Sequence, residues 1–468
     1  MKTTCVVISF LALAAWVSAA GAAPAAPAVF SVRDFGAKAD RTVNDAPAFQ
    51  AAVDAAAKAG GGTVVVPPGE YTSGGIRLAS GVTLRIDAGA TVYVSTDPAH
   101  YPKNARQLLA ADDAERIAVT GGGTINGQAT ADLGTRWGAP ATAENRTGIL
   151  LFTDCRQVAI RDVKILYSDS WTLHLKRCDG VVIEGVTIKN NPHRLNSDGI
   201  DPNSCRNVRI ANCTITAGDD CIVLKSTQAA PCENVEVTGC TLESTTAAIK
   251  IGTESHGDFR KIRFADCKIT SAPVGVGVYL KDGATVEDIT AERIAMVMCD
   301  PKIHEVAPLF IDIEKRNPDS KIGRVRNVMF KDIDIRTGTG LLFQGMPESP
   351  IENLSLRNVT LRVEKADDYA KRKKPVGGRR TTKDERDTCF ARLPSYAAFA
   401  NIRNLAIDGL TVEVSADAAK AFDRSAATFR NVDGATLKAV GWAKPPAAGQ
   451  APALDIQDCK NVTPPAKP

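Results

Sequence analysis

NVRIANCTI from Asn207, NVEVTGCTL from Asn234 and KIRFADCKI from Lys261 are three copies of one short unit. The unit is a polar residue, then Val or Ile, one residue, an apolar residue, two polar or small residues, one residue, and a final apolar residue. QVAIRDVKI from Gln157 and GVVIEGVTI from Gly180 precede the three, and NVMFKDIDI from Asn327 follows. Weaker copies are NLSLRNVTL from Asn353 and NLAIDGLTV from Asn404. Val181, Val208, Val235, Ile262 and Ile289 recur at 27 residues. Each copy reads as two short β-branched strands separated by a small bend. No helical pattern of 10–15 residues lies between copies, which disfavours βαβ units. Short strands repeating every ~20–30 residues predict a parallel β-helix solenoid, all-β, right-handed and forming one domain. The Val, Ile and Cys positions point inward, and the recurring Asn residues ladder at the bends.

Composition fits that reading. The 468 residues are 44% hydrophobic and 24% charged, enough apolar surface for a large core and too much for wholesale disorder. Lys and Arg number 57 against 53 Asp and Glu, so the net charge of +4 gives no concentrated basic face for nucleic acid. Lys2, the apolar run Cys5–Val17 and Ala20-Gly21-Ala22 have the layout of a secretory signal peptide over residues 1–22. The run is too short to span a bilayer, and no later segment suits one. The expectation is a secreted protein, periplasmic or extracellular, with no membrane partner.

Solenoid ends need covering. Asp45-Ala46-Pro47 followed by AFQAAVDAAAKAGGG predicts an amphipathic N-terminal capping helix with Asp45 as its N-cap, an early Pro and a Gly stop. The β-helix is expected over 23–460, with 461–468 and the Pro/Ala-rich stretch after Ala443 irregular. Between Glu364 and Arg392 lie ten Lys or Arg and six Asp or Glu, with few apolar residues. This predicts a charged loop insertion over about 364–396, either solvated or forming a basic rim for an anionic polymer. Cys155, Cys178, Cys205 and Cys232 recur at one repeat position and Cys213, Cys240 and Cys267 at another. They are expected to stack as buried thiols, although neighbours could also come within bridging distance.

The residues equipped for chemistry are carboxylates. Asn196-Ser197-Asp198-Gly199 begins one coil and Gly218-Asp219-Asp220-Cys221 the next. Coils lie ~4.8 Å apart, so Asp198 should stand beside Asp220, with Asp219 adjoining. Crowded carboxylates raise at least one pKa, leaving an acid beside ionised partners. That is the equipment for glycosidic cleavage. Turn-capping by Asp beside Gly and a calcium site are the competing readings. No P-loop, Ser-His-Asp set or zinc spacing stands out, and no cofactor or metal is expected.

NSDGIDPNSCRNVRIANCTITAGDDCIVLKS, from Asn196 to Ser226, resembles the polygalacturonases of glycoside hydrolase family 28, whose N-T-D and G-D-D-C elements occur in this order and spacing. FSVRDFGAKADRTVNDAPAFQAAVDAAA from Phe30 resembles the opening of the same superfamily. The resemblance covers most of the mature chain, weakening after about residue 345. It implies an inverting hydrolase of an acidic, uronate-containing polysaccharide. Asp219 would be the general acid and Asp198 and Asp220 would activate water. Asn196 would lie on the substrate side, and Lys281 in VYLKDG would bind a substrate carboxylate.

Two positions depart from the family. The expected His falls on Ala247, before Ile251-Gly252-Thr253-Glu254, and the Arg of R-I-K is Tyr279. Lys250 and the loop residue His256 are candidate replacements for substrate contact. Trp171 and His174, one coil earlier, could face a sugar or serve the core. Glu254 suits a supporting role. Besides hydrolysis, a rhamnogalacturonan-type specificity, a calcium-dependent lyase and a non-catalytic glycan-binding solenoid are consistent with these residues. A capped solenoid is expected to be a monomer.

Overall fold

The computed structural model describes residues 28–103, 105–131, 146–299, 307–364, 395–421, 424–443 and 451–463. The leader expected at 1–22 and the body of the charged insertion, 365–394, lie outside them. The chain winds as a right-handed parallel β-helix. A representative coil lays down Arg156–Arg161, Lys164–Leu166 and Leu173–Lys176. The next lays Asp179–Glu184, Thr187–Lys189 and Ile200–Asn203 directly on them. Three parallel sheets result, one for each strand position.

The repeat seen in the sequence is the first sheet and its bend into the second. Val158, Val181, Val208, Val235, Ile262, Ile289, Val328, Leu354 and Leu405 form one continuous register ladder. All are buried in a single apolar core shared by the three sheets. Each such side chain contributes roughly 1.5–3 kcal/mol by leaving water, offset in large part by ordering entropy. Stacked Phe343, Phe399 and Phe429 extend this core along the third sheet, with centroids 5.3 and 5.1 Å apart.

The recurring Asn has a backbone cause. Asn207, Asn234, Asn327, Asn353 and Asn404 sit at φ 54–60°, a left-handed conformation that Asn tolerates better than most residues. Their amides also ladder: Asn234 Nδ2 donates to Asn207 Oδ1 at 2.6 Å, and Asn353 Nδ2 to Asn327 Oδ1 at 2.8 Å. Asn404 Nδ2 reaches Asn353 Oδ1 at 3.1 Å, although 51 residues separate them. Ile351–Val363 and the second half of Ser395–Val414 are therefore neighbouring coils, although the charged insertion separates them in sequence.

The cysteines stack as free thiols. Cys155, Cys178, Cys205 and Cys232 are all buried, as are Cys213, Cys240 and Cys267. Hydrogen bonding between neighbouring sulfurs, then burial, pushes the Cys178 and Cys240 thiols up to about 12, so they remain protonated fillers of the core.

The N-terminal helix forms over Ala46–Lys58 and buries Phe49, Ala52, Val53 and Ala56. It packs against the first strands, Val29–Ser31 and Gly62–Val66. Its N-cap chemistry differs from the expectation. The Asp45 carboxylate turns away and accepts from the backbone N–H groups of Lys38 and Ala39. Asn44 Oδ1 accepts from Ala46 N at 3.1 Å instead, and it also accepts from Gly74 N, which ties the helix start to the next coil. The end of the chain also departs from expectation. Leu454–Gln457 and Lys460–Thr463 pair with Ser425–Ala443, so the solenoid runs past residue 460.

Candidate active site

The third sheet carries the site. Ile200 pairs with Ile222, which places Asp198 opposite Asp220 on adjoining coils, each just before its strand. Gly199 N donates to Asp220 O at 2.9 Å and locks this register. Glycine is required in both turns by close approach. A Cβ at Gly199 would stand 2.5 Å from Cys221 O, and one at Gly218 would meet Arg194 O, Asn191 O and Ser197 Oγ at 2.4–2.6 Å. The turns are thereby tight enough to bring Asp198, Asp219 and Asp220 together. One carboxylate oxygen from each lies within 4.8 Å of the others, and all three residues are at most 3% exposed.

Two lysines offset this charge. Lys250 Nζ lies 2.8 Å from Asp220 Oδ2. Lys225, itself buried, has its ammonium 3.7 Å from Asp198, 3.8 Å from Asp201 and 3.6 Å from Glu254. Thr246 Oγ1 touches Asp219 Oδ1 at 3.0 Å and Asp220 Oδ1 at 2.7 Å. Asn196 Nδ2 donates to Asp219 Oδ2 at 3.3 Å. Asn196 is in turn held by Arg146, whose guanidinium reaches Asn196 Oδ1 at 3.3 Å and also contacts Asp169 and Leu195 O.

These contacts split the carboxylates. Burial, then the charges of Asp201 and Asp219, push Asp198 well above the usual carboxylate range. Burial also raises Asp201, to about 8, against the pull of Lys225. For Asp220, burial is outweighed by Lys250, Lys225 and the Thr246 hydroxyl, which hold it at about 2. Burial works upward on Glu254 too, but Lys225 and its neighbours hold it below its ordinary value. The cluster therefore keeps protonated and ionised carboxyls side by side at neutral pH, the state acid–base cleavage needs.

Of the residues expected to contact substrate, Asn196 and Lys250 join the carboxylates directly. Tyr279 adjoins them, with the Lys250 ammonium 5.1 Å from its ring centroid and Phe310 packed behind at 4.5 Å. Lys281 and His256 stand at the far end of their strands. The Lys281 ammonium pairs with Glu314. His256 is half-exposed, 3.9 Å from Asp282, which Arg316 grips with two nitrogens. Ala247 is buried in the Asp198–Asp220 ladder. In place of an imidazole, Thr246 and Lys250 reach the carboxylates from either side of it. The Trp171 ring covers Lys225 at 4.5 Å and meets His174 edge-on at 4.8 Å. Burial and the charges of Lys225 and Lys176 drive His174 down to about 3, so it is neutral.

Thr246, Lys225 and Asp201 were not singled out by sequence reasoning. Asp201 follows Asp198 at the i+3 position, and Lys225 interrupts the apolar strand Ile222–Ser226. Both signals are visible in retrospect, whereas Thr246 reads as an ordinary turn residue.

A family model for glycosyl hydrolases family 28 matches residues 58–375. A probable polygalacturonase of Vitis vinifera is 24% identical over 364 residues, 71% of this chain and 74% of that protein. The endo-polygalacturonase of Pectobacterium carotovorum is 23% identical over 62% of this chain and 77% of its own. In fold, the exopolygalacturonase of Thermotoga maritima superposes with a TM-score of 0.63 at 22% identity, covering 72% of this chain and 88% of that one. The match spans the carboxylate turns, both lysines and most of the solenoid, and the chain belongs to glycosyl hydrolases family 28 as a glycosidase.

Proposed function

We propose that this chain hydrolyses glycosidic bonds in an acidic, uronate-containing polysaccharide of the pectin type. Its relatives are named polygalacturonases, which supports that substrate class. In this reading Asp219 protonates the leaving oxygen, and Asp198 and Asp220 activate a water, Asp220 as the ionised group that takes its proton and Asp198, raised by burial, by holding it in place. The carrying observation is the buried trio on adjoining coils with one member, Asp220, held ionised by Lys250. Asn196, Lys250 and Tyr279 adjoin the reacting sugar, and His256 and Lys281 lie toward a neighbouring unit of the polymer. Lys225 and Lys250 already supply the positive charge that calcium would bring, which argues against a lyase built on these residues.

The closest carboxylate oxygens are nearer than the roughly 6.5–9.5 Å that separates most inverting pairs. Inversion is still our reading. Asp220 is engaged by both Lys250 and Thr246, so it is built to orient a water rather than to bond carbon. Export through the leader at 1–22, a monomeric state, a capping role for the Ala46–Lys58 helix and independence from nucleic acid and membranes complete the proposal. No helix among the described residues is long and apolar enough to cross a membrane.

The test is reducing-end release on homogalacturonan and rhamnogalacturonan separately, with proton NMR of fresh product. Cleavage with the inverted anomer first supports the proposal. The retained anomer would overturn the single displacement. An ultraviolet-absorbing unsaturated product, or binding without any release, would overturn hydrolysis.

A further inference from the structure

Thr246 Oγ1 contacts two carboxylates at once, Asp219 Oδ1 at 3.0 Å and Asp220 Oδ1 at 2.7 Å. A hydroxyl has one proton to donate and lone pairs to accept with. It can donate to only one of these oxygens. The other contact is a hydrogen bond only if that carboxyl carries its own proton and donates it to Oγ1. Two ionised carboxylates would leave two oxygens facing each other with no proton between them. The hydroxyl is thus satisfied when one of the pair is protonated and the other ionised.

Lys250 decides which. Its ammonium lies 2.8 Å from Asp220 Oδ2, so Asp220 is the ionised member and accepts from Thr246. The proton then belongs to Asp219. Asn196 Nδ2 donates to Asp219 Oδ2 at 3.3 Å, and Oδ1 is the oxygen that faces Thr246 and shares the hydrogen with it.

We infer that Thr246 is a positioning residue: its hydroxyl keeps the acid proton on Asp219 in the resting enzyme and returns it there after each turnover. The inference rests on the acid–base reading of the site given above. In cleavage the Asp219 O–H bond breaks and its proton goes to the leaving glycosidic oxygen. The oxygen of the attacking water bonds to the sugar carbon, and the water's released proton passes to Asp220. The site is then left with Asp219 ionised and Asp220 protonated, the mirror image of the resting state. Thr246 restores it by giving its own proton to Asp219 and taking one from Asp220. One O–H bond breaks and one forms at Oγ1, and one water has been consumed per bond cut.

Among the described residues, charged or titratable groups around this pair include Asp198 and Asp201 on the preceding coil, Lys225 on the strand that follows Asp220, Lys250 and Glu254 on the next coil and Tyr279 on the one after. Arg146 approaches through Asn196. Thr246→Val removes the hydroxyl, keeps the side-chain shape and leaves all of these in place.

The test is the pH profile of kcat on the cleaved polysaccharide for wild type, Thr246→Val, Thr246→Ser and Lys250→Met. Without the hydroxyl, protonated Asp219 loses its acceptor, so the alkaline limb moves down. Ionised Asp220 loses a donor, so the acid limb moves up. Each limb should move by about one pH unit, the scale of one hydrogen bond to a charged group, and the profile narrows from both sides. Thr246→Ser should restore its width. Lys250→Met should instead move both limbs up, because a positive charge has gone. A Thr246→Val profile with wild-type limbs, whatever its kcat, or with both limbs moved the same way, would overturn the inference. If Thr246→Val does not fold, Thr246→Ala removes the same hydroxyl.

A second readout needs no substrate. Infrared difference spectra of wild type minus Asp219→Asn near neutral pH should show the carbonyl stretch of a protonated carboxyl, displaced in Thr246→Val. Absence of that band overturns the proton placement. Its presence in a protein that cuts neither pectin polymer would leave the placement standing and overturn the proposed function instead.

Discussion

Lys250 and Asp220 stand on neighbouring coils of the third sheet, with Nζ 2.8 Å from Oδ2 and little of either side chain reaching solvent. Their register partners explain the geometry: Lys250 pairs with Val223 on one side and with Gly277 on the other. A Cβ at Gly277 would come within 2.9 Å of the Tyr279 ring, so the glycine lets that ring lie beside the lysine. The ion pair is thus held between a buried carboxylate turn and an aromatic wall.

Lys250→Met should strand the Asp220 charge. Because Asp220 titrates at about 2 when folded, below its ordinary 3.8, it adds stability above pH ~4 that is lost as pH falls through ~2. The variant should be less stable by about 2–3 kcal/mol at neutral pH, and the deficit should shrink toward pH 2. Chemical denaturation at pH 7 and pH 3 checks this. An equal deficit at both would mean that the lysine acts by packing alone.

Asp219→Asn should remove nearly all turnover and keep the fold. The amide preserves shape and can still meet Thr246 and Asn196, but it has no acidic proton to give. A drop in kcat on the order of 10²–10⁴ is the scale of a lost general acid. Reducing-end assays beside thermal melts decide it, and a fully active variant would remove Asp219 from the acid's role.

Asp201→Asn should change how stability depends on pH. Asp201 is fully buried and raised to about 8 by that burial. The fold favours its protonated form, so its contribution is full below pH ~4 and falls away as pH rises toward 8. Asn mimics the protonated acid and carries no such slope. Relative to wild type, the variant's melting temperature should improve between pH 5 and pH 8. The same difference at both pH values would show that Asp201 is not the titrating group.

Much of this was legible before any coordinates. The 27-residue recurrence from Val181 to Ile289 gave the coil, and left-handed Asn bends account for the letter that marked it. The Asp198–Asp220 juxtaposition followed from coil geometry alone. What stayed hidden depends on where side chains end rather than where strands start. Lys281 could not be paired with Glu314 from the repeat, because Ile289 pairs with Val328 at 39 residues and not at 27. Thr246 was opaque for a different reason. Its importance lies in one oxygen shared between two carboxylates, and Thr in a turn carries no pattern that announces it. Asn44 took the capping bond from Asp45 because Asp45 found backbone donors of its own, a choice between adjacent residues that local preference leaves open.

The turn before Asp219 yields the last prediction. Gly218 has backbone or side-chain oxygens of Arg194, Asn191 and Ser197 within 2.6 Å of where a Cβ would sit. Two of these are carbonyls of the preceding coil, which cannot swing aside as a flexible side chain would. Ser197 Oγ also accepts from Gly218 N at 3.2 Å, so displacing the turn breaks that bond as well. Gly218→Ala should therefore cost stability by about 2–4 kcal/mol, as overpacking of a tight site does. It should also lower kcat more than it raises KM, because Asp219 moves while Lys250 and Tyr279, on the following coils, do not. Melting curves and steady-state kinetics on the same preparation separate the two effects. A variant with wild-type stability would show that the turn has slack, and the tight placement of the carboxylates would then need another cause.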